Sequence, residues 1–478
     1  MKILLVEDEV TFAAEVVAEV EAVIGKGNVD VVTNKDEAFS KIDSSFYDLI
    51  VLDLKIPATA ESLDTDTTHG HAVFGHCKKS AEGTPICFLT ASSTEAFVTR
   101  LLNDHSCQGD YWGGNAVETG VRVVQKSHLS EFLEYISLCH AKIQKLHEIE
   151  IKFPEGGTLS PETLRVLRAY TKRMGGIACE CSTLKGGLSK VKVYKILVEN
   201  EAGKCINMAV GRIGDSPALQ DEVRRFDSIV GSLGVGTFPS RLLSISCGAK
   251  STTGLFYRLA DQHGKSLFDF TMNENDIPGT IVNKLKGALK PWKDGSSVKR
   301  VTIGELRRCL LKDIDAERLS NEYGVDWVAE IEGINIVVEW GSMHGDLHGG
   351  NILVSERFDP VVIDFGDTDE GGTALDPVTL LLSPFFHPDL ANKMVDYVSH
   401  DQLLDFISTL KASDKYVPTS YFVACVDWIS EYCKNSPKTM YACLYVYAFR
   451  QLKYPTTDKD LALAIMEIAR GKILATIN

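Results

Sequence analysis

Met343-His-Gly-Asp-Leu-His-Gly-Gly-Asn351, followed by Val361-Val-Ile-Asp-Phe-Gly-Asp367, decides how the larger part of this chain reads. Asp346 and Asn351 stand five residues apart in a polar, glycine-rich loop. The short apolar runs Ile352-Leu-Val354 and Val361-Val-Ile363 predict a hairpin that returns Asp364 to the same place. Phosphoryl transfer needs positioning and charge neutralisation more than covalent chemistry. Asp346 is suited to orient and deprotonate an acceptor hydroxyl. Asn351 and Asp364 are hard oxygen ligands, suited to Mg2+ bridging nucleotide phosphates.

Upstream, from about residue 176, apolar residues alternate. Residues 177–184, 191–198 and 205–213 predict antiparallel strands. Between the first two lies Lys185-Gly-Gly-Leu-Ser-Lys-Val191, where Gly186, Gly187 and Ser189 would let backbone N–H groups approach nucleotide phosphates. A Gly-Gly turn is otherwise a plain hairpin. Downstream, Trp428, Tyr432, Tyr441, Tyr445 and Tyr447 recur at near-helical spacing and predict packed helical core.

The N-terminus carries a different pattern. Ile3–Val6, Leu49–Leu52, Ile86–Leu89 and Val121–Val124 are short apolar runs that alternate with helical segments, such as Phe12 to Ile24. That pattern predicts a parallel sheet covered on both faces, with its site beyond the carboxyl ends of the strands. Those ends hold Glu7 and Asp8, Asp53, Thr90 and Lys126. Three converging carboxylates call for a cation, and Mg2+ fits. A hydroxyl and an ammonium beside them suit a phosphoryl group on one carboxylate. The last helix of this region is expected to run on through Phe132, Ile136, Ile143 and Leu146 toward Ile151 as a connector. His69, His71 and His76 read as solvated loop histidines.

Composition excludes several classes. The chain has 478 residues, 44% of them hydrophobic and 24% charged, with a net charge of −15. Residues 1–136 hold 10 Lys and Arg against 22 Asp and Glu, and the rest hold 40 against 43. Neither part has the basic excess that phosphate-backbone binding needs, so nucleic acid is not an expected partner. No apolar run approaches a membrane span and the N-terminus lacks a secretory pattern, so a cytoplasmic location is expected. The twelve cysteines include no CxxC pair and read as small buried thiols rather than a zinc site.

Residues 1–136 resemble the receiver domain of bacterial response regulators: Leu-Val-Glu-Asp8, Leu-Asp-Leu-Lys-Ile-Pro57, Leu-Thr-Ala91 and Gln-Lys-Ser127 carry the likeness. The resemblance implies Asp53 as phospho-acceptor, Glu7, Asp8 and Asp53 as Mg2+ ligands, and Thr90 and Lys126 as switch residues. It also implies a sensor histidine kinase or other phosphodonor, and is compatible with a homodimer. The segments 58–69 and 90–126 are longer than in a typical receiver.

His-Gly-Asp-Leu-His-Gly-Gly-Asn351 and Ile-Asp-Phe-Gly-Asp367 resemble the aminoglycoside and choline phosphotransferase branch of the protein-kinase-like superfamily. This implies ATP or another nucleoside triphosphate held between a β-rich lobe (152–258) and a helical lobe (259–478), with Leu259-Ala-Asp261 as hinge. Asp376 resembles a structural aspartate of that branch, and a helix cap is the equal alternative. One departure concerns the third strand. Arg212 stands where the branch has lysine, with Glu222 as its implied partner, and arginine is bulkier and planar. Lys192 and Lys195 on the adjacent strand are candidates to take over. The expected architecture is an α/β receiver with a doubly wound five-stranded parallel sheet, a helical linker at 137–151, and a bilobal α+β kinase-like fold. The expected function is a receiver-regulated phosphotransferase acting on a hydroxyl of a small molecule or protein. The alternative is a nucleotide-binding pseudokinase scaffold.

Overall fold

The computed structural model describes residues 1–62, 64–91, 108–114, 116–154, 156–183, 191–234, 236–258, 265–273, 275–414, 416–434 and 436–475. They divide into two units, Met1–Gln220 with Arg241–Leu259, and Asp221–Ser240 with Ala260–Asn478. Among the described residues, no helix is long and apolar enough to cross a membrane.

The first unit begins with the expected parallel sheet. Ile3–Val6 (β1), Val29–Val32 (β2), Leu49–Leu52 (β3), Ile86–Thr90 (β4) and Val121–Gln125 (β5) pair in the order β2-β1-β3-β4-β5. Alternate residues feed two cores: Leu4 and Val6 of β1 pack on one face, Ile3 and Leu5 on the other. Each face is covered by helices, which is why the two central strands β1 and β3 are apolar and buried at every position. Helix α1 (Val10–Ile24) buries Ala13, Val16, Val20 and Ile24, the predicted stripe. The 58–69 insertion forms a small ladder, Ile56–Pro57 against Thr65–Asp66, and Asp66 then caps α2 (Thr67–Ser80) by accepting from the Thr68 N–H at 2.7 Å.

The connecting helix runs on through Phe132, Ile136, Ile143 and Leu146 as expected, but it stops short of Ile151. Helix α3 (Leu129–His147) ends at His147, and Glu150–Lys152 (β6) pairs in parallel with Ala178–Thr183 (β7). Ile149, Ile151 and Phe153 alternate, and the open edge of β7 offers backbone partners that another helical turn would forgo. A six-stranded sheet follows, ordered β6-β7-β8-β9-β11-β10, where β8 is Lys192–Glu199, β9 Cys205–Asp215, β10 Arg241–Ile245 and β11 Thr252–Arg258.

Helix α4 (Pro161–Arg173) joins the two sheets of this unit. Its buried Arg165 pairs with buried Asp48, at the start of β3. Lys172 Nζ donates to the Trp112 carbonyl at 2.9 Å. Residues 108–114 pack onto this helix: Tyr111 and Trp112 are buried, and Gly113, at φ +63°, lies where a Cβ would stand 2.8 Å from the Ala169 carbonyl oxygen. Backbone bonds from Gly83 N to Lys250 O (2.7 Å) and from Gly248 N to Gly83 O (2.6 Å) complete the junction.

The second unit is mostly helical, with two small sheets. Ser297–Thr302 (β12), Asn335–Met343 (β13) and Asp369–Gly372 (β16) form one; Ile352–Val354 (β14) and Pro360–Val362 (β15) form the predicted hairpin, with Ile352 opposite Val362. The β12 strand leads into two short helices, Ile303–Arg308 and Asp313–Tyr323. Helix α5 (Leu375–Phe386) is buried along its whole length, as is helix α6 (Pro437–Gln451) from Tyr441 to Gln451. Trp428, Tyr432, Tyr441, Tyr445 and Tyr447 are all buried core, as their spacing predicts.

Candidate functional site

The loop between β13 and β14 is built around His344. This buried imidazole accepts the Asp346 N–H at Nδ1 (3.3 Å), so in the neutral ring the proton sits on Nε2, which faces the Ile363 carbonyl at 3.0 Å. One side chain thus ties the Asp346 turn to the residue before Asp364. Gly345 is at φ +79°, and a Cβ there would overlap the carbonyl oxygen of Asp367. Only glycine permits both that backbone and that approach. Asp376, in the first turn of α5, accepts the N–H groups of His344 (2.8 Å) and Gly345 (3.0 Å). It holds the loop rather than capping its own helix, which decides between the two sequence readings. Burial drives its carboxyl above the usual range.

Asn351 closes the other end. Its Nδ2 donates to the Asp346 carbonyl at 3.0 Å, and its own carbonyl accepts from the Ile363 N–H at 2.9 Å. Asp364 follows in the left-handed region (φ 63°, ψ 72°). The structure therefore brings the loop holding Asp346 and Asn351 together with the hairpin end that carries Asp364. The amide oxygen and carboxylate are the hard donors Mg2+ takes. His348 stacks near Phe268 and His387, accepts the Gly350 N–H at Nδ1 (3.1 Å), and places Nε2 3.8 Å from Asp346 Oδ2. Burial pushes its pKa down to about 4.

A residue the sequence reading missed lies against Asp346. Arg450, buried on α6, donates from Nη1 to Asp346 Oδ1 (3.2 Å) and to the Gly345 carbonyl (3.0 Å). It is the one charged residue between Tyr441 and Gln451. An arginine on a stretch otherwise apolar on every face signals a buried partner, and that was the available clue.

Of the nucleotide-side candidates, Gly186, Gly187 and Ser189 lie outside the described residues, as does the 259–261 hinge. Arg212 is half-buried on β9, and buried Glu222 falls in the other unit. The β8–β9 register sets Val193 opposite Arg212 and Lys195 opposite Val210. Lys195 therefore shares the face of Arg212, whereas Lys192, opposite Ile213, points to the other face.

In the first unit, Glu7, Asp8, Asp53 and Lys126 come together at the carboxyl ends of the parallel strands. Oxygens of Glu7, Asp8 and Asp53 lie within 4.8 Å of one another. Lys126 Nζ bridges Glu7 Oε1 (2.8 Å) and Asp53 Oδ2 (2.7 Å). Burial raises the Glu7 pKa, with Lys126 opposing that shift. Its second oxygen, Oε2, is buried with no hydrogen-bond partner among the described residues. An orphaned buried carboxylate oxygen facing two further carboxylates fits a divalent cation. Thr90 ends β4 fully buried. Nearby, His69 Nδ1 meets the Ile56 carbonyl (2.9 Å) and His76 Nε2 meets Asp43 (2.8 Å), so both have ordinary structural partners.

Residues 287–406, which include Asp346, Asn351 and Asp364, match the phosphotransferase enzyme family. No curated protein matches the chain. Among solved structures, the chain is similar to an aminoglycoside-3'-phosphotransferase of type VIII, at 16% identity over 56% of this chain and 100% of that one, with a TM-score of 0.31. A thermostable mutant of aminoglycoside phosphotransferase APH(4)-Ia, in a ternary complex with ADP and hygromycin B, shares 12% identity over 62% and 94%, with a TM-score of 0.33. The phosphorylated cyanobacterial phytochrome response regulator RcpA shares 19% identity over 28% and 88%, with a TM-score of 0.21. The family match thus falls on the segment that carries the loop and hairpin of the second unit, and the first unit begins with a five-stranded parallel sheet.

Proposed function

We propose that the chain is an ATP- and Mg2+-dependent phosphotransferase that modifies a hydroxyl and is governed by phosphorylation of Asp53. The observation that carries this reading is the interlocked loop pair, in which His344, Gly345, Asp376 and Asn351 hold Asp346 beside the strand end bearing Asp364. Asp346 would orient the acceptor hydroxyl and take its proton as the hydroxyl oxygen bonds to the γ-phosphorus and the bond from that phosphorus to the β,γ-bridging oxygen breaks, releasing ADP. Mg2+ on Asn351 and Asp364 would neutralise charge on the nucleotide phosphates. Arg212, or Lys195 on the same face, would supply the cation that the branch draws from lysine. Control by the receiver is supported by the junction inside the first unit, where Asp48 and Asp53 lie at opposite ends of β3.

Arg212 also favours a second reading, a nucleotide-binding scaffold without transfer. A radiolabelled γ-phosphate assay separates the two, with water and candidate hydroxyl compounds as acceptors. Transfer that disappears in Asp346→Ala supports the enzyme. ATP binding without any Asp346-dependent transfer refutes it and leaves the scaffold.

A further inference from the structure

We infer that Arg450 is a positioning residue for the catalytic carboxylate, and that it reserves one oxygen of Asp346, Oδ2, for the acceptor hydroxyl. This rests on the phosphotransferase reading above. Arg450 Nη1 donates both to Asp346 Oδ1 (3.2 Å) and to the carbonyl of the preceding residue, Gly345 (3.0 Å). A donor shared between a residue's carboxylate and its neighbour's backbone restricts rotation of that carboxylate, because swinging Oδ1 away breaks one of the two bonds.

The guanidinium is itself fixed. Its Nε donates to the Tyr454 hydroxyl at 3.0 Å, and its Nη2 lies 3.6 Å from Asp367 Oδ2. Arg450 therefore reaches both halves of the site, the turn at Gly345-Asp346 and the segment just after Asp364. A planar guanidinium with several donors in fixed directions suits this; an ammonium could not reproduce the geometry. The Asp346 side chain is 36% exposed, and with Oδ1 engaged by Arg450, Oδ2 accepts no hydrogen bond among the described residues. His348 Nε2, 3.8 Å from that oxygen, is too distant for a hydrogen bond and leaves it available. Arg450 touches no reacting atom in this scheme and acts through Asp346.

The test measures phosphate release from Mg-ATP, with water as acceptor, alongside Mg-ATP affinity. It compares wild type, Asp346→Ala, Arg450→Lys, Arg450→Ala, Tyr454→Phe and the Asp346→Ala/Arg450→Ala double variant. Misplacing a catalytic group by about 1 Å can cost about a hundredfold. Arg450→Ala should therefore lose about that factor in kcat, with nucleotide affinity held within about twofold. Millimolar guanidinium should restore part of its rate but none in Asp346→Ala. The double variant should be no slower than Asp346→Ala alone, since a positioning effect vanishes with the group positioned. Tyr454→Phe removes only the support of Arg450 and should lower kcat a few-fold without weakening ATP binding, which covers the case of Arg450→Ala failing to fold. Unchanged kcat in both Arg450→Ala and Tyr454→Phe overturns the inference, and so does an Arg450→Ala loss that adds in full to that of Asp346→Ala. A wild type no faster than Asp346→Ala overturns the phosphotransferase reading and the inference with it, and is told apart because it shows before any Arg450 variant is compared.

Discussion

Replacing Gly345 by alanine perturbs the second unit where its backbone is most constrained. The residue sits at φ +79°, and its missing Cβ would overlap the carbonyl oxygen of Asp367, with the Asp367 carbonyl carbon only 3.1 Å away. Two penalties follow. The left-handed backbone costs a non-glycine residue about 1–2 kcal/mol. The overlap must also be relieved by parting the Gly345 turn from the Asp367 backbone by roughly 1 Å, because a carbon and an oxygen cannot rest inside their van der Waals contact. Asp346 is the next residue on one side of that gap and Asp364 lies three residues back on the other. The substitution therefore pries apart the two segments whose spacing the chemistry requires. A displacement of that size predicts roughly a hundredfold loss of kcat. The melting temperature should fall by roughly 2–8 °C, from 1–2 kcal/mol in a domain of this size. Gly287→Ala is the matched control, since no atom lies within 4 Å of its Cβ position and it is helical; it should leave activity unchanged and stability equal or slightly higher. The assay is ATP turnover with a thermal melt on the same preparations. A Gly345→Ala protein with wild-type turnover would refute the claim that this contact sets the spacing.

Asp376→Ala should be costly as well: two buried backbone N–H groups lose their acceptor, at about 1–3 kcal/mol each, read as a lowered urea midpoint together with lost turnover. Arg165→Ala removes the charged partner of buried Asp48, which keeps only the Lys2 N–H, and should destabilise the first unit by about 3–5 kcal/mol; an Arg165→Met/Asp48→Asn pair should recover much of it in the same denaturation experiment. Lys126→Met removes the one ammonium bridging Glu7 and Asp53. Its melting temperature without Mg2+ should fall below wild type, and added Mg2+ should raise it by more than in wild type, because the cation binds only the folded cluster. Equal Mg2+ shifts in the two proteins would count against a metal at Glu7, Asp8 and Asp53.

What the sequence made legible follows from how local each signal is. The N-terminal parallel sheet was readable because short apolar runs with charged ends are a short-range pattern. The Asp346, Asn351 and Asp364 set was readable because one loop and one hairpin hold it. Arg450 lies about a hundred residues from its partner and is joined to it only by the packing of α6, so spacing could not reveal it. The end of α3 at His147 was missed for a related reason: Leu146 still fits a helical stripe, while the strand at Glu150–Lys152 exists because the edge of β7 receives it. In each miss a distant partner outweighed a local preference.

Beryllofluoride, which mimics a phosphoryl group on a carboxylate, tests the union of the two sites most directly. Asp346-dependent ATP turnover would be measured on the full chain with and without the mimic, in wild type and in Asp53→Ala. The account predicts a change in wild-type turnover that Asp53→Ala abolishes. Identical turnover in wild type with Asp53 demonstrably occupied would contradict it.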